Sequence, residues 1–233
     1  MNKQKYPDFR AFAWGIFLYS GSSYGGDEAY LTLMREDHFL DDLRFRPKSV
    51  KLDQISKHLI RFLNGWRCRV EDSEEMAGQI RDAIGDALPL LNSLQSTSLR
   101  KIDLNEQKGE IAEITKLLGV KGFGPTCISK TLHVLNPALF LPWDQPMRDW
   151  FWEAQRSMWY ADWLEYSQGI ARHIDEDFER WQSKLSPEDY LSRKMKCELP
   201  KSLPKCIDEY LWIRITKQAT LPPSWYPDMD APT

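Results

Sequence analysis

The stretch VKGFGPT, residues 120–126, most constrains what this chain can fold into. It follows a segment over 110–118 whose apolar residues recur at helical spacing. Pro125 lacks an amide N–H and therefore suits the first position of a new helix, which the sequence predicts over 125–135. The pattern accordingly predicts two helices joined by a tight turn.

Two glycines flank a phenylalanine in this turn. Gly122 and Gly124 permit positive φ angles and let the backbone approach a ligand closely, while Phe123 can anchor the turn in the core. Successive N–H groups, together with the helix N-terminus behind them, favour an anion such as phosphate. Two interpretations stay open: a clamp on the DNA backbone that reads no sequence, and an ordinary glycine-rich helix–helix turn.

Helical periodicity recurs along most of the chain and predicts an all-α or mainly α fold. The run FAWGIFLY, residues 12–19, fits either a strand or a buried helix, and is the candidate for a minor β element near the N-terminus. With 233 residues and 42% hydrophobic composition, the chain can bury a sizeable core. Further helical patterns cover 28–35, 53–63, 73–91, 146–172 (with a break allowed) and 203–216.

Several function classes are disfavoured by composition. The N-terminal segment lacks the apolar run of a signal peptide, and no window approaches the roughly 20 apolar residues of a membrane span. The four cysteines and four histidines are scattered without the spacings of metal sites. We therefore expect a cytoplasmic protein with no membrane partner, no metal and no cofactor.

Charge is unevenly distributed although the formal net charge is only −3. Residues 116–148 hold four basic side chains and one acid, and residues 193–205 hold five basic side chains and one acid. Residues 149–190, in contrast, hold ten acids and four basic side chains, and would repel a phosphate backbone. A DNA partner would therefore bind on one side of the molecule, unless these clusters are only solvated helix faces.

A second motif follows the predicted helix over 125–135. The segment NPALFLPWDQPMRDWF, residues 136–151, contains Asp144 within PWDQPMR. Together with VKGFGPT it resembles the helix-hairpin-helix DNA glycosylase superfamily, in the manner of 8-oxoguanine glycosylases. There, a helix, an LPGVG-like hairpin, a helix and a loop precede an Asp in a VDxHVxR-like context.

The resemblance covers about residues 105–156 and implies two helical lobes flanking a cleft. It divides a single unit, residues 1–233, into an N-terminal lobe over 1–104, the helix-hairpin-helix and catalytic Asp region over 105–156, and C-terminal helices over 157–233. The stretches FLNGWRCRV and YSGSSYGGDE match no motif of the superfamily.

Roles for individual residues follow from the resemblance. Asp144 would stabilise positive charge that builds on the deoxyribose, and it also suits the N-cap of the next helix, where it stays ionised. A base flipped into a pocket would meet Trp143, Gln145 and Tyr24. Contacts with double-stranded DNA would come from Lys121, Gly122, Phe123, Gly124, Thr126 and Arg148.

Bifunctional members of the superfamily carry a lysine where this chain has Thr126. Lys130 lies one helical turn further on and is a second catalytic candidate for a Schiff base. The mismatch favours monofunctional base excision that leaves an abasic site, in base excision repair or in antiviral defence against phage DNA with modified cytosine. The alternatives are a non-catalytic helix-hairpin-helix DNA-binding module and a helical scaffold without a nucleic-acid role.

Overall fold

The computed structural model describes residues 6–21, 26–35, 52–180 and 184–220, and in these ranges the chain is mainly helical and contains no strand. The helices are α1 (Phe9–Gly21), α2 (Gly26–Arg35), α3 (Leu52–Gly65), α4 (Glu74–Ser93), α5 (Leu104–Leu117), α6 (Pro125–Leu135), α7 (Gln145–Gln155), α8 (Tyr160–Glu179), α9 (Pro187–Lys194) and α10 (Leu203–Leu211), and a π-helical segment, Trp212–Thr216, continues α10.

The mainly α prediction is confirmed, and the suggested β element is wrong. The run 12–19 lies inside α1, where Phe12 and Ile16 are fully buried one helical turn apart. A helix buried on several sides is apolar nearly all round, so its sequence lacks the polar face that would separate it from a strand.

The predicted helix over 146–172 is broken, as its pattern allowed. Arg156 adopts a left-handed conformation with φ of 57° and closes α7, and α8 starts at Tyr160. A left-handed residue is a common helix terminator, although glycine is the usual choice. The short helix α9 was not predicted.

Packing of α1 against α10 builds one part of the core. Gly15 faces Tyr210 so closely that a Cβ atom at position 15 would lie 2.7 Å from the Tyr210 ring and 3.4 Å from its Cα. This contact holds the C-terminal helix against the N-terminal one, while α3 packs on α4 and α5 packs on α8. Residues far apart in sequence therefore share a single core.

Helix α6 lies in the interior, with almost every residue after Thr126 buried. Helix α7 contacts the π-helical segment, which brings the start of α7 beside Thr216. These two helices carry both motifs found in the sequence. In the described ranges, no helix has the length and apolar character needed to cross a membrane.

Candidate active site

Residues 119–124 form the turn between α5 and α6, which is the hairpin. Its first bond closes α5, because the Gly119 N–H donates to Lys116 O at 3.0 Å. The Phe123 N–H then donates to Val120 O at 3.0 Å, and Gly122 has a φ of +82°. A β-turn with a positive φ at its third position is of type II, for which glycine is preferred.

The hairpin exposes its backbone and buries one side chain. Lys121, Gly122 and Gly124 are exposed, whereas the Phe123 ring is only 3% exposed and packs in the core. The Phe123 ring thus takes the core position that the sequence also suggested for it, and the predicted DNA contact of this residue stays a prediction. The buried ring anchors the turn.

The start of α6 has no side-chain cap. Gly124 is the N-cap residue and offers no side chain, and Pro125 supplies the first helical residue. The first amide groups of a helix need an outside partner, and together with the helix dipole they favour an anion. The N-cap residue of α6 therefore supplies no side-chain partner for these amide groups.

Asp144 is the N-cap of α7, as its sequence context predicted. Its Oδ1 accepts a hydrogen bond from the Met147 N–H at 2.9 Å, and its Oδ2 accepts one from Thr216 Oγ1 at 2.9 Å. The side chain is half-buried. These two donors, one from α7 and one from the π-helical segment, fix the carboxylate in one orientation.

A pocket with a volume of about 480 Å³ lies between the starts of α6 and α7. Volumes of roughly 300–1,000 Å³ are typical of sites for small organic groups. Five residues that the sequence analysis selected line this pocket: Thr126, Lys130, Asp144, Gln145 and Arg148. The hairpin residues 121–124 do not line it, and only Pro125 separates them from Thr126 in the chain.

Lys130 reaches the pocket from a buried position on α6. Its Nζ donates to Trp66 O at 2.9 Å, lies 3.6 Å from Cys68 Sγ and stands 5.2 Å from the centre of the Trp66 ring. The ammonium is therefore held by the loop that follows α3.

Cys68 completes this side of the pocket. Cys127 donates a hydrogen bond to the Cys68 sulfur, and this bond, together with the charge of Lys130, lowers the pKa of Cys68 to about 7 in spite of burial. The lowered pKa favours the thiolate form of Cys68 more than in an ordinary cysteine.

Arg148 and Gln145 lie side by side at the start of α7, and both line the pocket. An Nη atom of Arg148 donates to Gln145 Oε1. Arg148 Nε is buried and has no hydrogen-bond partner among the described residues. Because partial burial lowers the pKa of Arg148, an anionic ligand that paired with the guanidinium would offset part of its desolvation.

Two aromatic residues, Trp143 and Tyr24, were predicted to line the base pocket. The Trp143 ring is buried and packs on Phe151, Tyr160 and Trp163, so the structure places it in the core and not on the pocket wall. Residues 139–143 are all buried, whereas Asp144, the next residue, is half-buried and lines the pocket. Tyr24 lies outside the described residues.

Several lining residues were missed because they are distant in sequence from both motifs. The loop after α3 shows one local signal, since Arg67 has a positive φ of 59° without being glycine. Apart from this signal, the sequence gives no indication of these lining residues, which the packing of α1, α3 and α10 brings together. They are Tyr19, Trp66, Arg67, Cys68, Asp208, Trp212, Thr216 and Lys217.

Comparisons of the chain with protein-family models, with curated proteins and with solved structures gave no match.

Proposed function

We propose that this protein is a monofunctional DNA glycosylase that flips a damaged or modified base out of double-stranded DNA and hydrolyses its N-glycosidic bond. One observation carries the proposal: Thr126, at the uncapped start of α6, and Asp144, at the start of α7, line the same pocket. A phosphate bound at the hairpin would then lie near an acid that faces a cavity of suitable size for a base.

Binding of the DNA backbone is assigned to the hairpin and the cations beside it. The exposed backbone of the hairpin around Gly122 and the first turn of α6 would hold one phosphate, with the exposed Lys121 next to them. Arg67, Arg148 and Lys217 line the pocket and add positive charge to it. This arrangement supports DNA binding from one side in spite of the negative overall charge.

Asp144 is assigned the role of stabilising the deoxyribose while the N-glycosidic bond is cleaved. Cleavage of the N-glycosidic bond builds positive charge on the deoxyribose, which a nearby carboxylate stabilises. The hydrogen bonds from Met147 and Thr216 hold Asp144 in place before the substrate arrives, so little reorganisation is needed in the transition state. In the superfamily that the sequence resembles, an Asp in the corresponding motif has this role.

Thr126 favours hydrolysis without strand cleavage, because bifunctional members of the superfamily that the sequence resembles carry a lysine at this position. Lys130 does line the pocket, but its amine is bonded to Trp66 O and lies beside Cys68. Borohydride treatment of the protein with substrate DNA is expected to trap no covalent adduct. An adduct that disappears in Lys130→Ala would instead establish a lyase.

A panel of DNA duplexes would identify the base that the protein excises. One set would contain 8-oxoguanine, a second 5-hydroxymethylcytosine or its glucosylated form, and a third only ordinary bases. Abasic sites are detected as breaks after alkaline heating. Release from the second set supports a role in antiviral defence, and release from the first supports base excision repair.

Asp144→Asn tests the assignment of the acid. Asn keeps the N-cap of α7, so the fold and DNA affinity should persist, while base release should fall by about 10²–10³-fold. Asp103→Asn is the matched control, because Asp103 caps α5 through the Asn105 N–H in the same manner. Its rate of base release should equal that of the wild type.

A non-catalytic DNA-binding module is the second candidate, favoured by Thr126 in place of the family lysine. It predicts that the wild type binds duplex DNA and releases nothing from any of the three sets. If the wild type neither binds duplex DNA nor releases a base, the third interpretation, a helical scaffold without a nucleic-acid role, would be supported.

A further inference from the structure

A second carboxyl group lines the pocket. Asp208, on α10, is only 8% exposed, whereas Asp144 is half-buried. Asp144 accepts hydrogen bonds on both oxygens, but the contact of Asp208 is an ion pair at 3.5 Å between its Oδ2 and Lys205 Nζ. One pocket therefore holds two acids in different surroundings.

Lys205 is shared among several groups and does not fully compensate Asp208. Its Nζ also lies 3.4 Å from Glu209 Oε1 and 3.4 Å from Tyr19 Oη. Glu209 in turn binds Lys201 at 2.6 Å and is fully buried. The positive charge near Asp208 is thus already drawn towards a second carboxylate.

The charges around Asp208 act in both directions. From its own helix, Lys205 favours the carboxylate and Glu209 disfavours it; from outside, Lys130 favours it and Asp144 disfavours it. Burial is the largest effect, and the result is a pKa raised to about 7. The buried Tyr160 hydroxyl donates to Leu141 O and interacts with Asp208 only electrostatically; its own pKa is raised, so it stays protonated and adds no charge.

Two acids whose environments differ in this way are suited to opposite roles in one reaction. Resting on the function proposed above, we propose that Asp208 is the general acid that protonates the leaving base, while Asp144 stabilises the sugar. The placement of both carboxyl groups in one pocket, with Asp208 the more buried of the two, is the basis of this assignment.

Cleavage of the glycosidic bond is accompanied by protonation of the base. The bond between C1′ and the base nitrogen breaks, its electron pair goes to the base, and the Asp208 proton moves to a ring nitrogen or carbonyl oxygen of that base. Water then bonds to C1′ through its oxygen, and the proton that it loses restores the acid form of Asp208. The products are the neutral base and an abasic sugar with a hydroxyl at C1′.

The pH dependence follows from the raised pKa. The acid form of Asp208 predominates below about pH 7 and is lost above it. Base release should therefore fall as the pH rises through about 7. In Asp208→Asn this decline should disappear, because an amide carries no proton to transfer.

The test uses the full-length protein and duplexes containing 8-oxoguanine or 5-hydroxymethylcytosine. Asp208→Asn should slow base release by about 10²–10⁴-fold, the usual contribution of a general acid. Asp208→Glu should recover part of the rate, and Asp86→Asn, at an exposed position of α4, should change nothing. Thermal unfolding of each variant checks that its fold is intact.

A measurement without substrate gives independent support. In protein labelled with ¹³C at the aspartate carboxyl groups, one signal should titrate near pH 7 and vanish in Asp208→Asn. Titration of the Asp208 signal below pH 5 overturns the proposal, as does a folded Asp208→Asn with the wild-type rate and pH profile. If the wild type releases no base, the proposed function fails, whereas an active wild type with an unaffected variant rejects only the role of Asp208.

Discussion

The two helix starts at the pocket have nearly the same backbone and opposite electrostatic character. Gly124 has φ of −74° and ψ of 176°, and Asp144 has φ of −94° and ψ of 177°. Each is followed by a proline in the first turn. Asp144 caps α7 with its own carboxylate, but Gly124 leaves α6 without a side-chain cap. The two helix N-termini therefore differ in one side chain. The N-terminus of α7 is capped by the carboxylate of Asp144, whereas that of α6 has no such carboxylate and could accept an external anion.

We expect the largest effect on DNA affinity when an aspartate replaces Gly124, so that the N-terminus of α6 resembles that of α7. Gly124→Asp fits the extended backbone, and no atom lies within 4 Å of the added Cβ. The new cap should raise the free energy of unfolding by a few tenths of a kcal/mol. Affinity for duplex DNA should nevertheless fall about 10- to 100-fold, because a charge-assisted hydrogen bond to phosphate is lost.

Gly124→Asn is the matched variant, since it caps the helix without adding charge. Its loss of DNA affinity in a fluorescence anisotropy titration should be clearly smaller. Equal affinity of Gly124→Asp and the wild type would mean that the start of α6 binds no phosphate.

Gly122→Ala addresses the shape of the hairpin. A φ of +82° is unfavourable for alanine, and the added Cβ would lie 3.3 Å from Met76 Cε. The free energy of unfolding should drop by about 1–2 kcal/mol, as measured by urea denaturation. Gly109→Ala, inside α5 with open space around it, should instead stabilise the protein by about 0.5–1 kcal/mol. Effects of the same sign at both positions would contradict the turn geometry.

Lys121→Glu changes the charge beside the open start without altering the backbone. DNA affinity should fall about tenfold, and the slope of log K against log salt should become shallower by about 1. Lys101→Glu, at an exposed position outside the hairpin, is the control. The same salt slope in both variants would argue against a phosphate at the hairpin.

The smallest effect concerns the start of α7. Thr216→Val removes one of the two hydrogen bonds to Asp144, so base release should slow about 3- to 10-fold while DNA affinity is kept. Thr115→Val, which removes a bond to Ala112 O within α5, should not alter the rate. A rate unchanged by Thr216→Val would show that the cap bond alone orients the acid.

Local chemistry explains what could be predicted from the chain. Pro125 and Asp144 mark helix starts through their own backbone and side-chain preferences, so both boundaries follow from a few neighbouring residues. The buried α1 was ambiguous because its apolar run has no polar face to reveal its period. The glycosylase function, the division of the chain and the roles of the site residues stay predictions for the experiments above.

The sequence by itself determined the helical fold, the glycine turn and the capping acid, because each depends on interactions between residues a few positions apart. Only the tertiary structure decided which side chains meet at the pocket. Thr216 reaches Asp144, Asp208 joins them from α10, and Trp66 accepts the Lys130 hydrogen bond, all across long stretches of chain. Such contacts arise from the packing of α1, α3 and α10 into one core, and packing between distant helices leaves no periodic signal in a single sequence.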